Sequence, residues 1–396
     1  MAGHSTGHSA GHSAGNLTVR SHRGLTAFLA LEQTWRQLVE ASGTRNPFLA
    51  WEWVSEWGRA FWDEHLLSVV VEGPGGVVAI APFHRYAGLP VPGLRRPSLE
   101  LMGPRRYRQV CELGEALVMP DERRAAFSLI LAELRRTESW CWLEISGYGE
   151  AGRDWEAAAQ GQVRMVDELR QEVPVMALAG SWEEQRLRLR RNLKESIRRA
   201  YNAPLRDGLQ LSYTEHRDPA HVQDCTDALF TLHASRSRVQ GHTRHGDYFA
   251  NPIVHRLVER VSQRFAEGGK LNFGVVSLDG RPVAVRLQME MNGALYLYHS
   301  GFDPDLWQYN VSTLAVIEGV KAAIAHGMSE VNFSLGVDQA KARWDVELVP
   351  FRRLQLVRRR MWARIVFALY QGVRRHRQAR RERVVPRAQQ PIAEAA

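Results

Sequence analysis

The stretch from residue 271 to residue 335 constrains this chain most. Three apolar runs, LNFGVVSL (271–278), PVAVRLQMEM (282–291) and ALYLYHSG (294–301), are joined by Asp279-Gly280 and Asn292-Gly293. Both dipeptides suit the positive φ angles of a two-residue hairpin turn, so the runs predict an antiparallel meander. A helical pattern follows over about 311–326, stops at Gly327, and gives way to the short run VNFSL (331–335). A strand reached across such a helix returns parallel to the one before it. The stretch therefore predicts three antiparallel strands, a crossover helix, and a fourth strand parallel to the third.

An earlier stretch has a similar order. LLSVVVEG (66–73) and VVAIAPFHRY (77–86) flank Pro74-Gly75-Gly76 and read as a hairpin covered on both faces. A Gly/Pro-rich loop (88–97), a helix around 121–136 and the strand WCWLEIS (140–146) come next. Ahead of the hairpin, Asn46-Pro47 opens an amphipathic helix in which Trp53, Trp57 and Phe61 recur at a spacing of four. A second unit opens near Pro174, with Ser181 as helix cap and Glu184 three residues later. The helix that follows carries Arg186, Arg188, Arg190, Arg191, Lys194, Arg198 and Arg199. Two α/β units suit 396 residues, because single cores rarely grow beyond about 300. The expected division is a disordered Gly/His/Ser tail at 1–16, units at 17–175 and 176–357, and a basic helix and tail at 358–396.

Charge is unevenly placed. The net charge is +9, yet thirteen arginines and only two acidic residues fall after residue 351, leaving the body of the chain near neutral. A basic pI is therefore no argument that the folded body binds nucleic acid. Cys111, Cys141 and Cys225 have no metal-like spacing, no metal site is expected, and three separated cysteines fit a reducing, cytoplasmic setting. His4, His8 and His12 recur at a spacing of four, but the surrounding Gly and Ser oppose the helix that would align them. No apolar run approaches the roughly 20 residues of a transmembrane helix.

With these elements placed, the chain resembles the GNAT acyltransferase superfamily, specifically the CelD/BcsL group associated with cellulose and exopolysaccharide biosynthesis. The resemblance rests on NPFLAWEWVSEW and VVAIAPFHR near the start, RRNLKESIRRA (190–200), LHASR (232–236), DGRPVAVRLQME (279–290), YHSGFDP (298–304) and FSLGVDQAKARW (333–344). The group is similar to the peptidoglycan-bridge aminoacyltransferases. The resemblance implies an α/β (α+β) fold of two tandem GNAT-like domains, each a mixed, mainly antiparallel sheet flanked by helices. It also implies acetyl-CoA or another acyl-CoA as co-substrate, with its pyrophosphate at the start of the crossover helix. Those residues are Tyr309, Asn310, Val311, Ser312 and Thr313. Asn310 suits the helix cap, whereas Val311 stands where the group commonly has Gly and puts coenzyme A affinity in question.

Acyl transfer needs donors for the thioester oxygen, a base for the nucleophile and an acid for the leaving thiol. In the GNAT scheme the donors are backbone amides of the strand before the crossover helix, here 294–300. Alternation places Tyr296 and Tyr298 on one face and His299 on the other. Asp338 and Lys341 follow strand 331–335, where the carboxylate suits an acceptor and the ammonium a phosphate or oxyanion. Asp338, Lys341, His299 and Tyr298 are thus the expected catalytic residues. His233 reads as a satisfied helix histidine, and Arg236 and Arg238 as residues able to face an anion. The expected acceptor is a sugar, nucleotide-sugar or lipid-linked precursor. The alternatives are an aminoacyl-tRNA donor, for which the basic helix at 186–199 is suited, and a non-catalytic accessory protein on the same fold. In MWARIVFALYQGV (361–373), Trp362, Ile365, Val366, Leu369, Tyr370 and Val373 form an apolar stripe between arginines. That pattern suits an anionic membrane surface, peripheral at the inner face, or packing on the second unit.

Overall fold

The computed structural model describes residues 17–86, 98–103, 107, 109–239 and 246–384. The expected tail with its three histidines, the loop at 88–97 and the last twelve residues lie outside these. The first half comprises β1 (Thr18–Arg23), α1 (Gly24–Leu29), α2 (Glu32–Ser42), α3 (Trp51–Phe61), β2 (Leu66–Gly73), β3 (Gly76–Tyr86) and β4 (Ser98–Leu101). It continues through β5 (Leu117–Val118), α4 (Arg123–Thr137), β6 (Trp142–Tyr148), α5 (Glu150–Ala159) and β7 (Arg164–Ala177). The second half comprises α6 (Trp182–Arg188), α7 (Arg191–Arg206), β8 (Leu211–His216), α8 (Val222–Ser237), α9 (Pro252–Glu267), β9 (Leu271–Leu278) and β10 (Arg281–Met291). It ends with β11 (Ala294–Phe302), α10 (Val311–Ala325), β12 (Glu330–Asn332), α11 (Gln339–Ala342), β13 (Glu347–Val357) and α12 (Met361–Val384).

Each half builds the same pattern. In the second, β8, β9, β10 and β11 pair antiparallel in that order, and β12 returns across α10 to lie parallel to β11. In the first, β1, β2, β3 and β4 pair antiparallel and β6 returns across α4 parallel to β4. The hairpin turns form as their dipeptides predict, with Asp279, Gly280, Asn292 and Gly293 all at positive φ.

The halves then exchange their last strands. β7, which follows β6 in sequence, pairs with β12 of the second half, while β13 pairs with β6 of the first and with β7. One continuous sheet results, so position 175/176 falls inside β7 rather than in a linker. Neither exchanged strand was expected, because each contains a proline (Pro174 and Pro350), which ordinarily argues against an inner strand. Here both carbonyls serve chain segments outside the β7–β13 ladder: Pro174 O accepts from Phe333 N at 2.9 Å and Pro350 O from Gly149 N at 2.8 Å.

One departure concerns the basic helix expected as a single run over 186–199. It is two helices, broken at Leu189 and Arg190, both in extended backbone. The break lets Leu189 and Leu193 both enter the core beside Trp344 and Phe333. The arginines of α6 and α7 stay exposed. Another contact fixes α8: a Cβ on Gly301 of β11 would stand 2.6 Å from His233 N and Leu229 O. Only glycine lets the α8 backbone lie this close, and the approach carries His233 and Arg236 to the sheet.

Candidate active site

The site begins with a register fault in β11. Arg286 faces Ser300 and Gln288 faces Leu297, so Tyr298 and His299 together oppose Leu287 alone. This is a β-bulge, and it suspends alternation. Tyr298 and His299 are not sent to opposite faces as expected; their ring centroids are 3.8 Å apart. Pairing of β11 with β12 stops at Tyr296–Asn332. Beyond it the chain leaves β11 and follows β7, with Phe333 N bonded to Pro174 O and Gly336 N to Glu172 O. The two parallel strands thus separate around a cleft of about 360 Å³. The corresponding divergence of β4 from β6 is filled by Trp57, Cys111, Phe351 and Arg353, leaving about 30 Å³.

The first half supplies part of the cleft wall. Phe48 packs edge-on against Tyr296 and Tyr298, and Trp53 against Tyr298. Tyr298 OH donates to Val110 O at 2.5 Å, and Tyr296 OH donates to Glu112 Oε2 at 2.5 Å. Leu335 N donates to the same oxygen at 3.2 Å. These bonds hold Glu112, from an irregular segment of the first half, in the cleft of the second. Desolvation pushes its carboxyl up to about 7, against the partial relief of Tyr296, Leu335 and the nearby Lys341 charge. A carboxyl with that affinity exchanges its proton near neutrality, as a general base requires. Sequence reasoning missed Glu112 because it lies in no regular element.

The cleft also receives most of the expected residues. Asp338, Lys341, His299, Tyr298, Ser312 and Thr313 line it, and Tyr309, Asn310 and Val311 do not. Their tasks differ from the expected ones in several cases. Asp338 is exposed and caps α11, accepting from Lys341 N at 2.8 Å. Lys341 Nζ lies 2.9–3.4 Å from four acceptors, the Ser334 hydroxyl and the carbonyls of Ser334, Leu335 and Gly336. It thereby clamps a loop in which Ser334 is held at φ 63°. Burial lowers the Lys341 ammonium. Tyr298 anchors the first half by its hydroxyl. His299 is buried, which pulls its imidazole down to about 3, so it is neutral and its Nε2 has no partner among the described residues. His233, expected as a satisfied helix residue, also lines the cleft, with Nδ1 3.5 Å from Asp247 Oδ1.

At the other edge of the cleft stands the start of α10. Asn310 does not cap it: its backbone is left-handed (φ 52°, ψ 37°) and its side chain makes no cap bond. Asn310 O instead accepts from Thr313 N and Leu314 N, and among the described residues the Val311 and Ser312 amides have no backbone acceptor. Val311 points into the core and is 1% exposed, so its branched side chain does not obstruct an approaching phosphate as expected. Cations surround this edge. Arg236, Arg286 and Arg343 share the cleft lining, and Arg286 Nε is buried without a partner among the described residues. Burial and the neighbouring Arg236 charge pull the Arg286 guanidinium down to about 10, a crowding that an anion in the cleft would relieve. The free amides and the positive helix end fit a pyrophosphate, and the guanidinium groups fit a further anionic group in the same cleft.

Comparison with known proteins bears on the fold. Residues 188–342 match the family described as "Acetyltransferase (GNAT) domain". A conserved protein of unknown function from Bacteroides thetaiotaomicron VPI-5482 shares the fold at 14% identity, over 82% of this chain and 97% of that one, with a TM-score of 0.53. FemX shares it at 12% identity, over 81% and 95%, with a TM-score of 0.55. No curated protein sequence matches the chain. Residues 188–342 thus match a GNAT acyltransferase domain, and they lie in one sheet with a first half of the same strand pattern.

Proposed function

We propose that the protein transfers an acyl group from acyl-CoA to an amine or hydroxyl of a sugar, nucleotide-sugar or lipid-linked precursor, with Glu112 as general base. The observation that carries this reading is Glu112 itself, a carboxyl poised near neutrality and held in the cleft across from the start of α10. Coenzyme A would be held by the Val311 and Ser312 amides and the Ser312 and Thr313 side chains. Glu112 takes the proton of the acceptor as it attacks the thioester carbonyl carbon; the C–S bond then breaks, the proton passes from the Glu112 carboxyl to the departing sulfur, and coenzyme A leaves as its thiol with Glu112 restored as carboxylate. The neutral imidazole of His299 offers a hydrogen bond without titrating. Arg236 and Arg286 suit the diphosphate of an activated precursor, which supports an acceptor of envelope or exopolysaccharide assembly. Thiol release from acetyl-CoA and longer acyl-CoAs, measured against amino sugars and nucleotide-sugars, tests the reading. Turnover that depends on Glu112 is expected; no turnover together with no coenzyme A binding would overturn it.

A second reading draws on the exposed arginines of α6 and α7, which lie beside α10. Arg186, Arg188, Arg190, Arg198 and Arg199 are exposed and supply positive charge suited to an RNA backbone, and hence to an aminoacyl-tRNA donor. Tight, salt-sensitive tRNA binding without coenzyme A binding would favour it.

A further inference from the structure

α12 has two apolar lines, and the structure uses one. Ala363, Val366 and Phe367 are buried and, with the half-buried Trp362 and Tyr370, cover Cys141, Trp142 and Val357. Trp142 stacks on Tyr370 with centroids 4.7 Å apart. The stripe read from the sequence is thus split, because Ile365 and Leu369 do not face the protein. With Met361 they make a second line at a spacing of four, 76%, 56% and 50% exposed. This line lies about a third of a turn around the helix from the docked one.

The charge around the second line has one sign. Arg359, Arg360, Arg364, Arg374 and Arg375 are exposed, and no Asp or Glu occurs between residues 358 and 381. At the helix start Arg358 is crowded by Arg135 and Arg360, and Arg358 donates to the Arg135 carbonyl. No described helix is long and apolar enough to cross a membrane. A helix held along the protein surface, with a narrow apolar line outward and arginines beside it, has the chemistry of an interfacial helix.

We propose that α12 lies flat on an anionic lipid surface, with Met361, Ile365 and Leu369 in the headgroup–acyl boundary and the arginines among the phosphates. The occupant is a lipid surface rather than free phosphate, because phosphate alone leaves the apolar line in water.

Flotation of the full chain with phosphatidylcholine vesicles, with and without phosphatidylglycerol, tests this without any acyl donor or acceptor. Binding is expected to the anionic vesicles only, and high salt releases it. Each near-surface arginine contributes about fivefold, so Arg360→Gln with Arg364→Gln should weaken binding roughly thirtyfold. Ile365→Glu with Leu369→Glu should weaken it at least as much while leaving the melting temperature unchanged, since neither side chain is packed. Equal binding to neutral vesicles, or none to anionic ones, overturns the proposal. So does vesicle binding that survives the Ile365/Leu369 change while the chain binds single-stranded RNA with the same salt dependence, which would make α12 a nucleic-acid arm. Inorganic phosphate that competes fully at millimolar level also overturns it.

Discussion

Glu112→Gln separates catalysis from folding at a single atom pair. The glutamine keeps an oxygen to accept from Tyr296 OH and Leu335 N, so the geometry of the tie between halves survives. What disappears is the buried charge. The Glu112 carboxyl is raised in the folded chain from 4.5 to about 7. A raised carboxyl costs the fold nothing well below pH 4.5, where both states are protonated, destabilises it progressively between about pH 4.5 and 7, and costs it a constant amount above that. The full cost is about 3 kcal/mol as a ceiling, from about 1.4 kcal/mol per tenfold shift in proton affinity. Melting curves should therefore coincide below about pH 4, separate progressively between about pH 4.5 and 7, and keep a constant separation above pH 7, with the glutamine variant the more stable. Glu115, raised to about 7 by the same burial but bonded to Asn46 and the Tyr148 amide, titrates in both proteins and cancels in the difference. Turnover should move the other way. kcat/KM of the parent should rise through about pH 7, and the variant should lose at least about a hundredfold together with that rise. A variant that keeps the rise and most of the activity would place the base elsewhere. Melting curves that never diverge would refute the buried charge.

Four further outcomes follow from the packing. Ser312→Glu, at the half-buried first turn of α10, should weaken coenzyme A binding at least about tenfold by setting charge against phosphate, with stability within about 0.5 kcal/mol; titration calorimetry and a melt check both. Val311→Asp is no test of that site, because it buries an unpaired carboxylate and should destabilise by about 3 kcal/mol or more in denaturant unfolding. Lys341→Ala should cost about 2–3 kcal/mol, since it strands a hydroxyl and three carbonyls, against about 1 kcal/mol for the cap lost in Asp338→Ala. Gly301→Ala should push α8 off β11 at about 1–3 kcal/mol and lower turnover by displacing His233 and Arg236.

What was legible in the sequence was local. The Asp279-Gly280 and Asn292-Gly293 turns, the crossover helix and the Ser181 cap, whose Oγ accepts from Glu184 N at 3.2 Å, each depend on residues close together in the chain. The exchange of β7 and β13 depends on pairings across more than 150 residues, and the prolines within them conceal it. The bulge at Tyr298–His299 carries no residue signature, so alternation misplaced two side chains. The site was legible where it lies on the matched segment: Asp338, Lys341, His299, Ser312 and Thr313 do meet in one cleft. Their chemistry was less so, because Lys341 and Asp338 are occupied by the loop that holds them. Arg286 and Glu112 acquire their meaning only from burial against residues distant in sequence.

The central claim is that the divergence of β11 from β12, beside the start of α10, binds the acyl donor. Titration calorimetry of acetyl-CoA into the parent chain and into Ser312→Glu tests it most directly, with tRNA titrated in parallel. Saturable acetyl-CoA binding in the parent, weakened at least about tenfold in the variant, is the predicted result. Binding of equal strength in both proteins, or binding of tRNA alone, would contradict it.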